Sequence, residues 1–246
     1  MRKTSASTLY RVCKPGRSPT VVFLHGLGGT HRYWSCVGHD AVLPSHAVID
    51  LDLLGFGDSP KPWTRYTRDR HLAAIHAALA EHGELVLVGH SMGAALALAY
   101  AAQYPQRVRG LCLISLPHYG GLEGAQRWFA RQRGGWVYTN VWATALACVL
   151  TRRVAARLLP AFLGDVPPAV AEDLAKHTMV SSTSSLWEVL YRHDLAADAS
   201  LLPTWVPVRC IHGAADTTAP LFGVQSLARG RANWHIELLD GVDHHP

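Results

Sequence analysis

Ser91 lies at the centre of Gly89-His90-Ser91-Met92-Gly93. A serine hydroxyl attacks a carbonyl carbon once a base takes its proton. The G-x-S-x-G spacing suits that task when a strand precedes it and a helix follows. The apolar run Leu85–Val88 precedes this one, and the Ala-rich stretch Met92–Gln103 follows it. The flanking glycines let strand and helix approach each other, and the helix N-terminus aims N–H groups and a positive dipole end at the reaction centre. A plain helix start capped by Ser91 would leave both glycines without a reason. A second candidate is His25-Gly26-Leu27-Gly28-Gly29, directly after another apolar run. So many glycines can expose a backbone N–H. The N–H of Leu27 paired with that of Met92 would make an oxyanion hole, each donor being worth roughly 10²–10³ in rate. A phosphate loop would need Lys and Ser or Thr after the glycines, but Thr30-His31 follow. The dinucleotide spacing G-x-G-x-x-G fails too, because His31 stands where its last glycine belongs.

The elements that must hold these residues alternate along the chain. Thr20–Leu24, Ala47–Leu51, Leu85–Val88, Arg109–Ser115, Val208–Ile211 and Trp234–Leu239 read as short buried strands rich in Val, Ile and Leu. Helical patterns cover Arg68–Glu81, Met92–Gln103 and Ala219–Leu227. This alternation predicts an α/β fold with a mostly parallel, doubly wound sheet. It breaks after Ser115. From Pro117 to Pro203 helical stretches appear near Ala143–Leu159, Val170–His177 and Ser185–His193, among Trp128, Trp136, Tyr138, Trp142, Trp187 and Tyr191. We expect residues 117–203 to form a helical cap shaping a pocket over a core of residues 1–116 and 204–246.

Composition excludes several classes. The 246 residues are 49% hydrophobic and 17% charged, which rules out a disordered chain. The net charge of +5 comes from scattered arginines, so no nucleic-acid partner is expected. The five cysteines show no C-x-x-C or zinc spacing and read as free thiols of a reducing compartment. Met1–Tyr10 has no apolar core for a signal peptide, and the longest apolar run, Val141–Leu150, is too short to span a bilayer. A cytoplasmic protein with no integral membrane segment is expected.

Together the motifs resemble the α/β-hydrolase superfamily. His25-Gly26-Leu27-Gly28-Gly29 resembles its oxyanion loop, Asp52-Leu53-Leu54-Gly55-Phe56-Gly57-Asp58-Ser59 its D-x-x-G-x-G-x-S segment, and Gly89-His90-Ser91-Met92-Gly93 its nucleophile elbow. The resemblance runs from about residue 20 onward, and the cap matches only in position and helical character. It implies the order serine, acid, histidine. The turn His212-Gly213-Ala214-Ala215-Asp216 then makes Asp216 the acid, and Gly241-Val242-Asp243-His244-His245-Pro246 makes His244 the base, with His245 its rival. Asp58 and Asp240 read as surface or turn residues, and Asp243 is too near in the chain to orient His244. His90 reads as a packed elbow residue and His25 as a structural loop residue. Ser115-Leu116-Pro117 offers no acid at the site some relatives use.

The resemblance implies a serine hydrolase that cleaves a carboxylic ester of a small to medium apolar substrate through an acyl-enzyme, with no cofactor and no metal. The same triad would serve a thioesterase, lactonase, C–C bond hydrolase or cofactor-free perhydrolase, and these stay open. A ligand-binding member with little turnover is the alternative of another class. Relatives continue past the histidine loop into a final helix, whereas this sequence stops at Pro246. A version carrying that helix is expected to be more stable and more active, since residues beside a free terminus fray.

Overall fold

The computed structural model describes residues 8–34, 43–153, 173 and 176–246. Seven strands form one sheet: β1 (Arg11–Lys14), β2 (Arg17–Leu24), β3 (His46–Leu51), β4 (Leu85–His90), β5 (Val108–Ile114), β6 (Val208–Gly213) and β7 (Trp234–Leu239). Their spatial order is β1-β3-β2-β4-β5-β6-β7. β1 pairs antiparallel with β3, and every other pairing is parallel.

Both faces of the sheet are covered, which is why its strands read as continuous apolar runs. In β2 the side chains alternate between two packed layers. Val22 and Leu24 enter the larger core, and Val21 and Phe23 pack with Trp34 and Val48 on the other side. The six strands expected from the pattern all form. β1 was not expected: its four residues are exposed or half-buried and show no apolar alternation. Charged Arg11 and Lys14 at its ends suit an edge strand.

Helix α1 (Arg68–Ala78) starts at Thr67, whose hydroxyl accepts the N–H of Arg70, and it buries Leu72, Ile75 and Ala78. Helix α2 (Met92–Gln103) is buried along ten consecutive residues, Met92 to Ala101, and packs on β4 and β5. Its alanines let it come close to the sheet, and Pro105 follows its end.

The described residues between β5 and β6 are largely helical. They hold α3 (Leu122–Phe129), α4 (Trp136–Thr139), α5 (Val141–Arg153), α6 (Met179–Ser185), a π-helical turn (Leu186–Tyr191) and α7 (Leu195–Leu201). The π turn widens the helix by one residue, so the N–H of Arg192 reaches the carbonyl of Trp187 at 2.9 Å. α7 packs on α2 and is capped by Asp194, which accepts the N–H groups of Ala196 and Ala197. α3, α4, α6 and α7 were not foreseen, and the expected stretch 185–193 holds the π turn. The expected helix 143–159 is seen to Arg153, and most of the expected 170–177 lies outside the described residues. α8 (Leu221–Ala228) joins β6 to β7. Among the described residues no helix is long and apolar enough to cross a membrane.

Candidate active site

The motif residues gather where parallel strands end, the edge at which open α/β sheets place their sites. β4 runs through His90 and the chain turns sharply at Ser91, whose φ of 52° is unusual for a residue with a side chain. The glycines make this turn possible. A Cβ on Gly89 would lie 2.4 Å from the Gly93 carbonyl oxygen, and one on Gly93 would lie 2.1 Å from that of Leu24. Ser91 is tied down through its backbone: its N–H donates to Ile114 at 2.9 Å, and its carbonyl accepts Ala94 at 2.9 Å. Its side chain makes no capping bond, so Ser91 is not an ordinary N-cap and Oγ is left for another partner.

That partner is His244. Its Nε2 lies 3.0 Å from Ser91 Oγ, while its Nδ1 lies 2.9 and 3.1 Å from the two carboxylate oxygens of Asp216. A carboxylate only accepts, so Nδ1 carries the proton and the Nε2 lone pair faces the serine. Asp216 Oδ1 also accepts the N–H groups of Thr218 at 2.8 Å and Ala219 at 2.7 Å. Burial pushes the Asp216 carboxyl up, but the hydrogen bond and charge of His244, with those two N–H groups, outweigh it and hold it below its ordinary value. Ser91, Asp216 and His244 come from three different strand ends and share one hydrogen-bonded line.

The loop after β2 lies against the elbow. A Cβ on Gly26 would sit 3.3 Å from Ser91 Cβ and 2.9 Å from His90 Nδ1. Leu27 and Met92 are thus the residues that follow Gly26 and Ser91 on the two adjoining turns. His25 holds the loop from below: Nε2 accepts the N–H of Leu53 at 3.0 Å, and Nδ1 donates to the Gly26 carbonyl at 2.8 Å. Burial lowers its pKa, in keeping with the neutral ring those bonds require. The buried Asp52 carboxylate accepts the N–H of His31 at 2.6 Å, its Nδ1 at 2.9 Å and the N–H of Asp58 at 2.7 Å. The segment Asp52–Ser59 is therefore a brace for the loop, and the exposed Asp58 and Asp240 join neither Ser91 nor His244.

Several contacts around the line escaped sequence reasoning. His90 donates Nε2–H to the carbonyl of His244 at 2.9 Å. His245 faces Tyr33, with Nδ1 3.3 Å from the phenol oxygen, and does not reach Ser91. Asp243 binds Thr217 instead of orienting His244. The buried His212 donates Nε2–H to the Ala219 carbonyl at 3.0 Å beneath Asp216. From the helical stretch, Trp128 and Tyr119 donate to the carbonyls of Thr217 and Thr218 at 3.0 and 2.9 Å. Except for His212 and Ala219, each pair is far apart in the chain, so spacing held no signal for it. Trp136, Tyr138 and Trp142, read as pocket-forming aromatics, are exposed, whereas Trp187 and Tyr191 are buried. A cavity of about 590 Å³ lies between α5, α6 and the π turn, lined by Val141, Trp142, Met179 and Trp187 among others; Ser91, Asp216 and His244 do not line it.

The sheet order, the elbow and the hydrogen-bonded line define a class. A family profile described as alpha/beta hydrolase fold matches residues 19–233, and the chain belongs to that family. The matched stretch contains Ser91 and Asp216 and ends before His244. The chain is 26% identical to a probable lysophospholipase, BODYGUARD 4 of Arabidopsis thaliana, over 98% of its own length and 63% of that protein's. It thus spans less than two thirds of that relative. Among solved structures, a hydrolase from Pseudomonas aeruginosa aligns over 98% of this chain and 89% of its own, with a TM-score of 0.74 and 21% identity. An esterase from Exiguobacterium antarcticum aligns over 96% and 88%, with a TM-score of 0.73 and 20% identity. At those identities the structures share the fold.

Proposed function

We propose that the chain is a serine hydrolase that cleaves a carboxylic ester of a small to medium apolar substrate through an acyl-enzyme. One observation carries the reading: His244 bridges a buried Asp216 at 2.9 Å and an uncapped Ser91 hydroxyl at 3.0 Å. His244 Nε2 takes the Ser91 proton as Oγ attacks the ester carbonyl, while Asp216 keeps the ring in its Nδ1–H tautomer and stabilises the imidazolium. The N–H groups of Leu27 and Met92 receive the oxyanion. The tetrahedral intermediate collapses, the C–O bond to the alcohol breaks, and His244 returns the proton to the departing oxygen. A water then attacks the acyl-enzyme, gives its proton to His244, and the acid leaves as Ser91 recovers its hydrogen.

Ester as the bond class agrees with a relative named a probable lysophospholipase and a structural neighbour named an esterase. In this reading residues 117–203 act as the cap over a core of residues 1–116 and 204–246. The apolar preference rests on the aromatic and aliphatic residues of that segment.

The test uses p-nitrophenyl esters of graded acyl length and a fluorophosphonate probe. Wild type should turn over short and medium esters and take up the label at Ser91, and Ser91→Ala should do neither. A folded wild type that neither turns over an ester nor takes the label overturns the reading.

A further inference from the structure

We infer that His90 is a positioning residue for His244, acting through the hydrogen bond from its Nε2–H to the His244 backbone carbonyl. The inference rests on the triad reading above. His244 sits on a loop after β7, beyond the last paired residue Leu239, so no strand neighbour donates to its carbonyl. His90 is the last residue of β4 and the immediate neighbour of Ser91. One rigid strand end therefore carries the nucleophile and also the donor that places the base.

The surroundings leave His90 little freedom. It is 3% exposed, and its ring stacks on Tyr33 at 4.8 Å and on His245 at 4.9 Å. The Tyr33 hydroxyl lies 3.3 Å from His245 Nδ1, so the 244–245 segment rests on a platform made by two elements distant in the chain. Gly26 closes the other side, where a Cβ would sit 2.9 Å from His90 Nδ1. Burial first, and then the charge of His244, push His90 well below its ordinary pKa, so the ring stays neutral with its one proton on Nε2. A ring chosen only for packing would need no N–H at that point. A partly buried carbonyl left without a donor costs stability, and a small displacement of an aligned base lowers the rate steeply.

The test compares wild type with His90→Phe, His90→Gln and His90→Asn, with Ser91→Ala as control. Phe keeps the stacked ring and removes the donor. The Gln amide reaches the place of Nε2, and that of Asn falls short. The readouts are kcat and KM on a p-nitrophenyl ester, the melting temperature, and the proton NMR signal of His244 Nδ1–H. His90→Phe should lower kcat by about ten- to a hundredfold, with KM within about threefold. It should also shift or broaden the Nδ1–H signal. His90→Gln should recover most of the loss and His90→Asn little. A His90→Phe enzyme with wild-type kcat and Nδ1–H signal overturns the inference, as do Gln and Asn variants of equal kcat. The last comparison also decides the matter if the Phe variant does not fold. An inactive Ser91→Ala beside an unaffected His90→Phe leaves the triad standing and removes only the role of His90. An active Ser91→Ala removes both.

Discussion

Asp243 binds Thr217 and not its chain neighbour His244: its carboxylate accepts the Thr217 backbone N–H at 2.8 Å and the hydroxyl at 3.2 Å. A second link lies beside it, from the N–H of Ala215 to the carbonyl of Val242 at 3.0 Å. The loop bearing His244 is therefore stapled to the turn bearing Asp216.

Asp243→Ala removes one staple and keeps the other. Because Asp243 is exposed, the stability loss should be small, about 1 kcal/mol by urea unfolding. The expected effect on ester turnover is a fall in kcat of about three- to tenfold with KM nearly unchanged. A variant with unchanged kcat would show that the remaining bonds suffice to place His244.

Gly93→Ala should fail through sterics. The added carbon would sit 2.1 Å from the Leu24 carbonyl oxygen and 2.6 Å from that of His25, both backbone atoms. Overpacking of this kind costs about 1–3 kcal/mol, and here β2 and α2 must separate to relieve it. Chemical denaturation should give a lowered midpoint with an unchanged slope, and turnover should fall as the elbow shifts.

Ser91→Gly should be more stable than Ser91→Ala, and neither should turn over an ester. Position 91 has φ 52° and ψ −116°, a conformation that strains alanine and suits glycine. The relief, about 1–2 kcal/mol, exceeds the entropy glycine adds to the unfolded chain. Paired melting curves of the two variants measure it, and equal curves would mean that the elbow stores no strain.

Asp216 should make stability depend on pH in the acid range. Its folded-state pKa lies below the ordinary value of 3.8, so the unfolded chain binds the proton more readily. Its contribution is fully present above that ordinary value and is lost as pH falls through the folded pKa. The melting-temperature difference between wild type and Asp216→Asn should be level at neutral pH and change only below about pH 4. At neutral pH the Asn variant should keep its fold and lose about 10⁴ in kcat, because the wrong tautomer then faces Ser91.

Much of the fold was legible in the sequence. Met92–Gln103 and Trp234–Leu239 have the bounds that their apolar content and flanking residues indicate. β1 was not legible because four half-exposed residues carry no period; it exists because β3 offers an edge to pair with. α3 and α7 were hidden too. Leu122–Phe129 buries only Ala125 and Phe129, too few for a stripe, and α7 is held by its Asp194 cap and by packing on α2. The site divides the same way. Ser91 could be read from its own neighbours, while Asp216 and His244 needed the resemblance, being 28 residues apart.

The sequence by itself determined the sharp turn at Ser91, the buried parallel strands and the helical stretch after β5. These follow from constraints acting over a few residues: space that only glycine leaves free, φ values a side chain resists, and apolar runs that must leave water. Only the tertiary structure brought His244 and not His245 to Ser91, gave Asp243 to Thr217, and set His90 to donate to the His244 carbonyl. Those pairings form between loops at the ends of separate strands. The order of strands in the sheet sets which loops meet, and a pattern of buried and exposed residues does not encode that order.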